Sequence, residues 1–374
     1  MAGRPTDEQI RKECASGITP YLGHVVIDRA GEPKPYREVA EPWQWALASR
    51  MIPALESVAG VRKGYTGPRS FWFTLPRGHD KTSLIGRLAA WALAFSRYSV
   101  KAVAAAADKE QANFIIEYMQ AEARLNAWLY PLLKFSNWRV EGPGGSRLKV
   151  LAADDKSSFG LKDDIIILDE VTHWAKQGLW NTIVSGREKR PGGVLIIISN
   201  AGELRTWQRD VFEIAQSSPS WYVYESPGKL ASWMSDVRID ELRRLIPPGL
   251  GKRLYDNVWT DPAGDNAFVT YEEARGCEDT DLACREKGEP GVQYFAGIDY
   301  GAVKDATAMS LGHADNEGNV VVDRLDLIQG SQESRVQISA IEAWVERIKR
   351  GFGKPVLVVD PHQMEQFIQR HEGT

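Results

Sequence analysis

Apolar positions in this chain fall into short, nearly unbroken runs, separated by stretches where they recur every three to four residues. Phe71–Leu75, Val100–Ala106, Ile165–Leu168 and Val194–Ser199 are runs of the first kind. Runs that short and that apolar predict strands buried on both faces of a parallel sheet. Thr82–Ser96 sets Leu84, Ile85, Leu88, Ala89 and Leu93 at helical spacing, and Lys109–Arg124 reads as a second helix. From Glu41 to about Asn200 the pattern therefore predicts alternating strands and helices, an α/β unit whose parallel sheet is covered by helices. The residues before Glu41 are rich in Gly, Pro and charge and read as a loosely ordered arm. Residues 203–288 mix Trp and Arg without a strong period and read as a lid and linker, ending at the boundary signal Lys287-Gly288-Glu289-Pro290-Gly291.

A second pattern follows. Tyr294–Ile298 leads into Asp299; Asp305–Leu311 and Val320–Asp323 complete three consecutive antiparallel strands. A helix from about Glu333 to Lys349 and the strand Pro355–Val359, with Asp360 at its end, come next. Three strands, a helix and a strand returning beside the first is the order of a ribonuclease-H-like α/β domain. The expected division is thus an arm over residues 1–40, a nucleotide-binding core over 41–202, a lid and linker over 203–288, and a ribonuclease-H-like unit over 289–374.

Chemistry concentrates at the strand ends, where ligands sit in open α/β sheets. Leu75-Pro76-Arg77-Gly78-His79-Asp80-Lys81-Thr82-Ser83 joins a strand to a helix and resembles a phosphate-cradling loop in which Leu75 and Asp80 take the two glycine positions. Lys81 would reach the phosphates and the Thr82 hydroxyl a magnesium ion, while Arg77 adds a second cation. Asp80 adopts the left-handed conformation more readily than most residues, so the turn is feasible with Gly78 alone. Downstream, Asp169-Glu170 ends the strand Ile165–Leu168 and would give one carboxylate to the metal and one to an attacking water. Either motif alone also fits an ordinary loop or strand end; in this order, on these elements, together they favour a P-loop NTPase.

Two further segments carry weaker signals. Trp43-Gln44 fits an adenine contact, yet its spacing alone favours a helix start with core tryptophans. Ser199-Asn200-Ala201-Gly202 suits a sensor of the γ-phosphate or a plain polar turn. In the second pattern, Asp299 and Asp360 are the natural pair for two-metal phosphodiester chemistry, with Asp305 a nearby third acid.

Composition narrows the setting. A length of 374 residues suggests two domains at ~100–200 residues each. The net charge of -4 excludes a strongly basic nucleic-acid coat but not a local basic surface. Three cysteines without a C-x-x-C pair argue against a disulfide framework or zinc site and for a reducing, intracellular compartment. No apolar run approaches the ~20 residues of a membrane span, so no membrane association is expected.

Taken together, Trp43-Gln44, Arg77 to Thr82, Asp169-Glu170, Ser199 to Gly202, and Asp299 with Asp360 resemble the large terminase subunit of tailed double-stranded DNA bacteriophages. The resemblance implies an ATPase using ATP and Mg2+ to pump double-stranded DNA into a procapsid, with a nuclease using Mg2+ or Mn2+ to cut the concatemer. It assigns the nucleotide to Trp43, Gln44, Arg77, Gly78, His79, Asp80, Lys81, Thr82, Ser83, Asp169, Ser199 and Asn200, and catalysis to Arg77, Glu170, Asp299 and Asp360. Metal ligands would be Thr82 and Asp169 in one half, Asp299 and Asp360 in the other. It further implies a portal protein and a small terminase subunit as partners, and a homo-oligomeric ring on the portal built from a monomer in solution. The protein would act in the host cytoplasm, transiently on the procapsid, and be absent from the mature virion. Arg187-Glu188-Lys189-Arg190-Pro191 is either a finger for a neighbour's nucleotide or, more simply, a solvated charged turn. The family's nuclease carries a third acid on a later helix, whereas the sequence stops at Thr374, so the second domain reads as C-terminally truncated. A helicase-like ATPase with a nucleic-acid-binding C-terminal domain is the alternative, and a portal-docking structural protein with vestigial motifs a third.

Overall fold

The segment before Glu41 is folded and packed, which corrects the expectation of a loose arm. Thr6 and Gln9 form a reciprocal capping box at the start of α1 (Asp7–Cys14), and α2 (Ile18–His24) follows. A hairpin of β1 (Val26–Arg29) and β2 (Glu32–Pro35) leads to the short α3 (Tyr36–Val39). Cys14, Ile18, Tyr21, Leu22 and Val25 are fully buried, and the Trp91 indole N–H donates to the Cys14 carbonyl at 2.9 Å. Helices this short are marginal alone; burial of this one stripe against the core holds them. In this computed structural model the described residues are 5–152, 162–261, 275–278, 284–303, 306–331, 334–360 and 364–371. Asp305 and Glu333 lie outside them.

Two units divide the chain, residues 1–274 and 275–374. In the first, α4 (Pro42–Val58) precedes β3 (Ser70–Thr74), α5 (Lys81–Phe95), β4 (Lys101–Ala106) and α6 (Lys109–Leu125). A small meander of β5 (Lys134–Ser136), β6 (Arg139–Glu141) and β7 (Arg147–Ala152) leads towards β8 (Ile165–Asp169). Then come α7 (Gly178–Gly186), β9 (Val194–Ser199), α8 (Trp207–Ser217), β10 (Trp221–Glu225), α9 (Asp236–Arg243) and α10 (Pro248–Gly251). The eight strands run in the order β10-β3-β9-β8-β4-β7-β6-β5, parallel from β10 to β7 and antiparallel beyond. β3, β8 and β9 are buried at every position, because alternate residues such as Phe71 and Trp72 enter separate apolar clusters on the two faces. The α/β expectation holds. Within this sheet the β5–β7 meander was not expected, nor was β10, an edge strand inside the segment read as lid and linker.

The second unit contains β11 (Tyr294–Asp299), β12 (Thr307–Ala314), β13 (Val320–Ile328), α11 (Ile338–Phe352) and β14 (Val356–Val359). Its sheet order is β13-β12-β11-β14, with β14 alone parallel to its neighbour, so the last strand returns beside the first as expected. Ile341, Trp344, Val345 and Ile348 of α11 pack on Tyr294, Ala296, Ile298 and Leu311. The Pro/Gly signal at 287–291 falls within this unit and not at its border. There the Gly288 N–H donates to Gly351 and the Arg285 N–H to Asp323, which ties the segment to the second sheet and helix.

Packing of the N-terminal segment gives a direct test. Leu22→Ala deletes a fully buried side chain and should cost about 2–5 kcal/mol, against almost nothing for a loose arm. Urea unfolding followed by tryptophan fluorescence measures the difference.

Candidate active site

Strand β3 delivers the loop at its carboxyl end, where the Leu75 N–H still donates to the Ser199 carbonyl at 2.9 Å. The turn needs two left-handed residues, Gly78 at φ 83° and Asp80 at φ 48°. Glycine takes that conformation without strain, and aspartate tolerates it better than most residues. In that conformation Asp80 does not cap α5 with its side chain; its carboxylate instead meets Arg29 at 3.3 Å. The first turn of α5 therefore keeps an uncapped positive end directed at the loop.

The Lys81 ammonium is buried and donates to the Leu75 carbonyl at 2.9 Å, and it pairs with the Glu170 carboxylate at 3.2 Å. The Thr82 hydroxyl donates to Asp169 Oδ2 at 2.7 Å, whereas Asp169 Oδ1 is buried with no hydrogen-bond partner among the described residues. Thr82 and Asp169 thus bring hard oxygen donors together beside an unsatisfied carboxylate oxygen, a set that suits Mg2+. Burial first, and the Glu170 charge second, push Asp169 up to about 7, although Thr82 and Lys81 pull the other way. Burial also acts upward on Glu170, yet Lys81, His173 and the Asn200 N–H outweigh it and hold Glu170 below the ordinary carboxylate range.

Glu170 is left-handed, at φ 47°, which turns its side chain back over β9. There Oε2 accepts from the Ser199 hydroxyl at 3.2 Å and the Asn200 N–H at 3.1 Å. Ser199 is shared with the Thr172 hydroxyl at 2.7 Å. Ser199 and Asn200 are buried and do not line the cavity at the loop; they reach it through Glu170.

That cavity, 230 Å³, is walled by Arg77 to Ser83, by Asp169 and Glu170, and by Gln111, Phe114 and Tyr118 of α6. Arg77 is exposed there, and its backbone N–H is taken by the Leu254 carbonyl at 2.7 Å. A second cavity of 320 Å³ shares Asp80, Ser83 and Tyr118 with the first and includes Gln44 in its wall. The Gln44 side-chain Oε1 accepts from the Glu41 N–H at 3.0 Å within the cap of α4. Trp43 lines neither cavity: its ring packs on His79 and Trp233, with centroids 5.5 and 6.0 Å away. The α6 wall was not foreseen, although Phe114 and Tyr118, each 50% exposed one helical turn apart, were a visible signal.

Residues 57–213 match the family model described as terminase large subunit, ATPase domain. This region forms the ATPase domain of a large terminase subunit. The crystal structure of the HK97 bacteriophage large terminase is similar at 17% identity and a TM-score of 0.50, over 96% of this chain and 81% of that one. The large terminase of a thermophilic bacteriophage is similar at 14% identity and a TM-score of 0.44, over 85% of this chain and 79% of that one. No curated protein matches. The HK97 likeness shows a shared fold over most of the chain.

Other expected residues are placed as follows. Arg187 donates to the Ser70 hydroxyl at 2.7 Å and Arg190 to the Lys162 carbonyl at 3.2 Å, at the amino ends of the strands and away from the phosphate loop. In the second unit Ile298 faces Val359 across parallel strands, so Asp299 and Asp360 leave the sheet at the same end, both exposed. No cluster of three or more His, Cys, Asp or Glu able to hold a metal occurs among the described residues.

The position of Asp169 sets a pH dependence. A carboxyl raised from 3.8 to about 7 binds its proton more tightly in the folded chain. Its contribution to stability is therefore full below 3.8 and is lost as pH rises to about 7. Without nucleotide or metal, Asp169→Asn should gain stability relative to the wild type across that interval and level off above it, as read by urea unfolding at a series of pH values.

Proposed function

We propose that this terminase subunit binds ATP at the Arg77–Ser83 loop and uses its hydrolysis to drive double-stranded DNA into a procapsid. The observation that carries the reading is the pairing of Lys81 with Glu170 and of Thr82 with Asp169, which joins the start of α5 to the end of β8 beside a buried Asp169 oxygen that has no hydrogen-bond partner among the described residues. Thr82 and Asp169 would hold Mg2+, which when bound supplies charge neutralisation to the phosphates. Lys81 and Arg77 would neutralise the phosphate tail, with the start of α5 and the loop N–H groups around it. Gln44 would face the base from the second cavity.

The ion pair between Lys81 and Glu170 suggests how substrate activates the base. A phosphate competing for Lys81 removes the charge that holds Glu170 low, so Glu170 becomes a stronger acceptor for the proton of an attacking water. Ser199 and Asn200 keep its oxygen oriented and would convey the change to β9. For the second unit we propose metal-dependent DNA cutting at Asp299 and Asp360, supported by their common end of two adjacent parallel strands. A ring of subunits on a portal protein, supplied with DNA through a small subunit, is the assembly this reading implies.

Lys81→Ala should abolish ATP hydrolysis. Glu170→Gln should still bind ATP with magnesium by calorimetry while turnover falls roughly 10²–10⁴-fold. Hydrolysis should rise with double-stranded DNA and a forked duplex should stay wound; unwinding would assign a helicase instead.

Plasmid cutting by the purified chain should require Mg2+ or Mn2+ and stop with EDTA. Asp299→Ala and Asp360→Ala should each abolish it and leave ATP hydrolysis intact. Cutting unchanged in both variants would place the nuclease elsewhere.

A further inference from the structure

The segment that follows β10 is fastened to the phosphate loop and its surroundings at several points. It leaves the sheet at Ser226, whose N–H donates to the Thr74 carbonyl at 2.9 Å. The Leu230 and Ala231 N–H groups both point at Nε2 of the buried His79, at 2.9 and 3.3 Å. The Trp233 indole N–H donates to the Gly78 carbonyl at 3.0 Å. A side chain at position 78 would meet Met234 at 3.0 Å, so the contact there is close. Arg29 lies 3.8 Å above the Trp233 ring while paired with Asp80, and Ser232 donates through its N–H to Glu41 at 2.9 Å. Gly78 and His79 are thereby held by this segment directly, and Asp80 through Arg29, which stacks on Trp233.

A phosphate loop normally owes its shape to glycines, and two of the usual glycine positions here hold Leu75 and Asp80. Something other than backbone freedom has to hold the turn with its N–H groups facing the anion. We propose that residues 226–235 are a strap that performs this task, with His79 and Trp233 as positioning residues whose contacts set the affinity for ATP. The inference rests on the reading of the loop as the ATP site. His79 suits the role as a neutral imidazole: Nε2 accepts two N–H groups, which leaves the proton on Nδ1, 3.4 Å from the Arg77 carbonyl. Its surroundings keep it in that form, since burial, with Lys81 nearby, brings its pKa down to about 4 against the weaker upward pull of Glu41 and the Arg77 and Pro76 carbonyls. Neither residue touches reacting atoms in this scheme, so the strap acts on binding and not on the chemical step.

The test compares His79→Phe, His79→Gln and Trp233→Phe in the full chain, by calorimetric titration with ATP and magnesium and by steady-state ATPase kinetics. Phenylalanine keeps the volume but leaves two buried N–H groups without an acceptor, and ATP should bind about tenfold or more weakly. Turnover at saturating ATP should stay within about threefold of wild type, so the loss appears in KM. Glutamine reaches the place of Nε2 with a carbonyl oxygen, and should restore binding. Trp233→Phe should weaken binding too, and Trp233→Phe added to His79→Phe should cost less than the product of the single effects, because both cut the same strap. Unchanged affinity in His79→Phe, or a loss confined to turnover, overturns the proposal. If His79→Phe does not fold, the other two decide: Trp233→Phe weakened with His79→Gln intact supports the strap, and any other pairing overturns it. Lys81→Ala separates the two readings. A wild type that binds ATP only when Lys81 is present keeps the site whatever becomes of the strap, whereas a wild type that binds no ATP overturns both.

Discussion

Asp169 is a carboxylate with one oxygen occupied and one buried without a hydrogen-bond partner among the described residues, and the arrangement of the site follows from it. An isolated charge in that position is costly, so the group either keeps a proton or meets a cation. The neighbouring Glu170 raises the cost, and Lys81 lowers it by pairing with Glu170. The result is three ionisable groups of which each sets the state of the next. β8 positions the acids, β3 and α5 the lysine and threonine, and β9 the hydroxyl and amide that steady Glu170. The parallel sheet matters because it brings the carboxyl ends of these strands to one edge.

Much of this was legible in the sequence. Ile165–Leu168 followed by Asp169-Glu170 is a buried strand with acids at its end on both readings, because four apolar positions in a row leave no face for water. The same reasoning found β3, β4, β9, α5 and α6, and the order of the second sheet. It failed where local pattern and tertiary role part. Trp221–Glu225 reads as an aromatic stretch without a period, and it became a strand because β3 had an open edge to pair with. Residues 7–39 read as loose because Gly, Pro and charged residues are frequent there, while Cys14, Ile18, Tyr21, Leu22 and Val25 carried a helical spacing that outweighed them.

The site was legible residue by residue but not contact by contact. Lys81 and Thr82 could be placed from their order in the loop. The hold of Ser199 and Asn200 on Glu170 could not, since it depends on Glu170 taking a left-handed backbone that no sequence rule assigns to glutamate. His79 shows the same limit, because a histidine in a phosphate loop reads as a candidate ligand until its ring is seen turned into the protein, accepting from another segment.

Asp80 carries a consequence of a different kind. An aspartate before a helix ordinarily folds its carboxylate over the first N–H groups, and such a carboxylate is itself an anion occupying the place a phosphate would take. By adopting a left-handed turn and giving its side chain to Arg29, Asp80 withdraws that resident competitor. An incoming phosphate then competes with Glu170 for Lys81, but it does not have to displace the Asp80 carboxylate from the first N–H groups of α5.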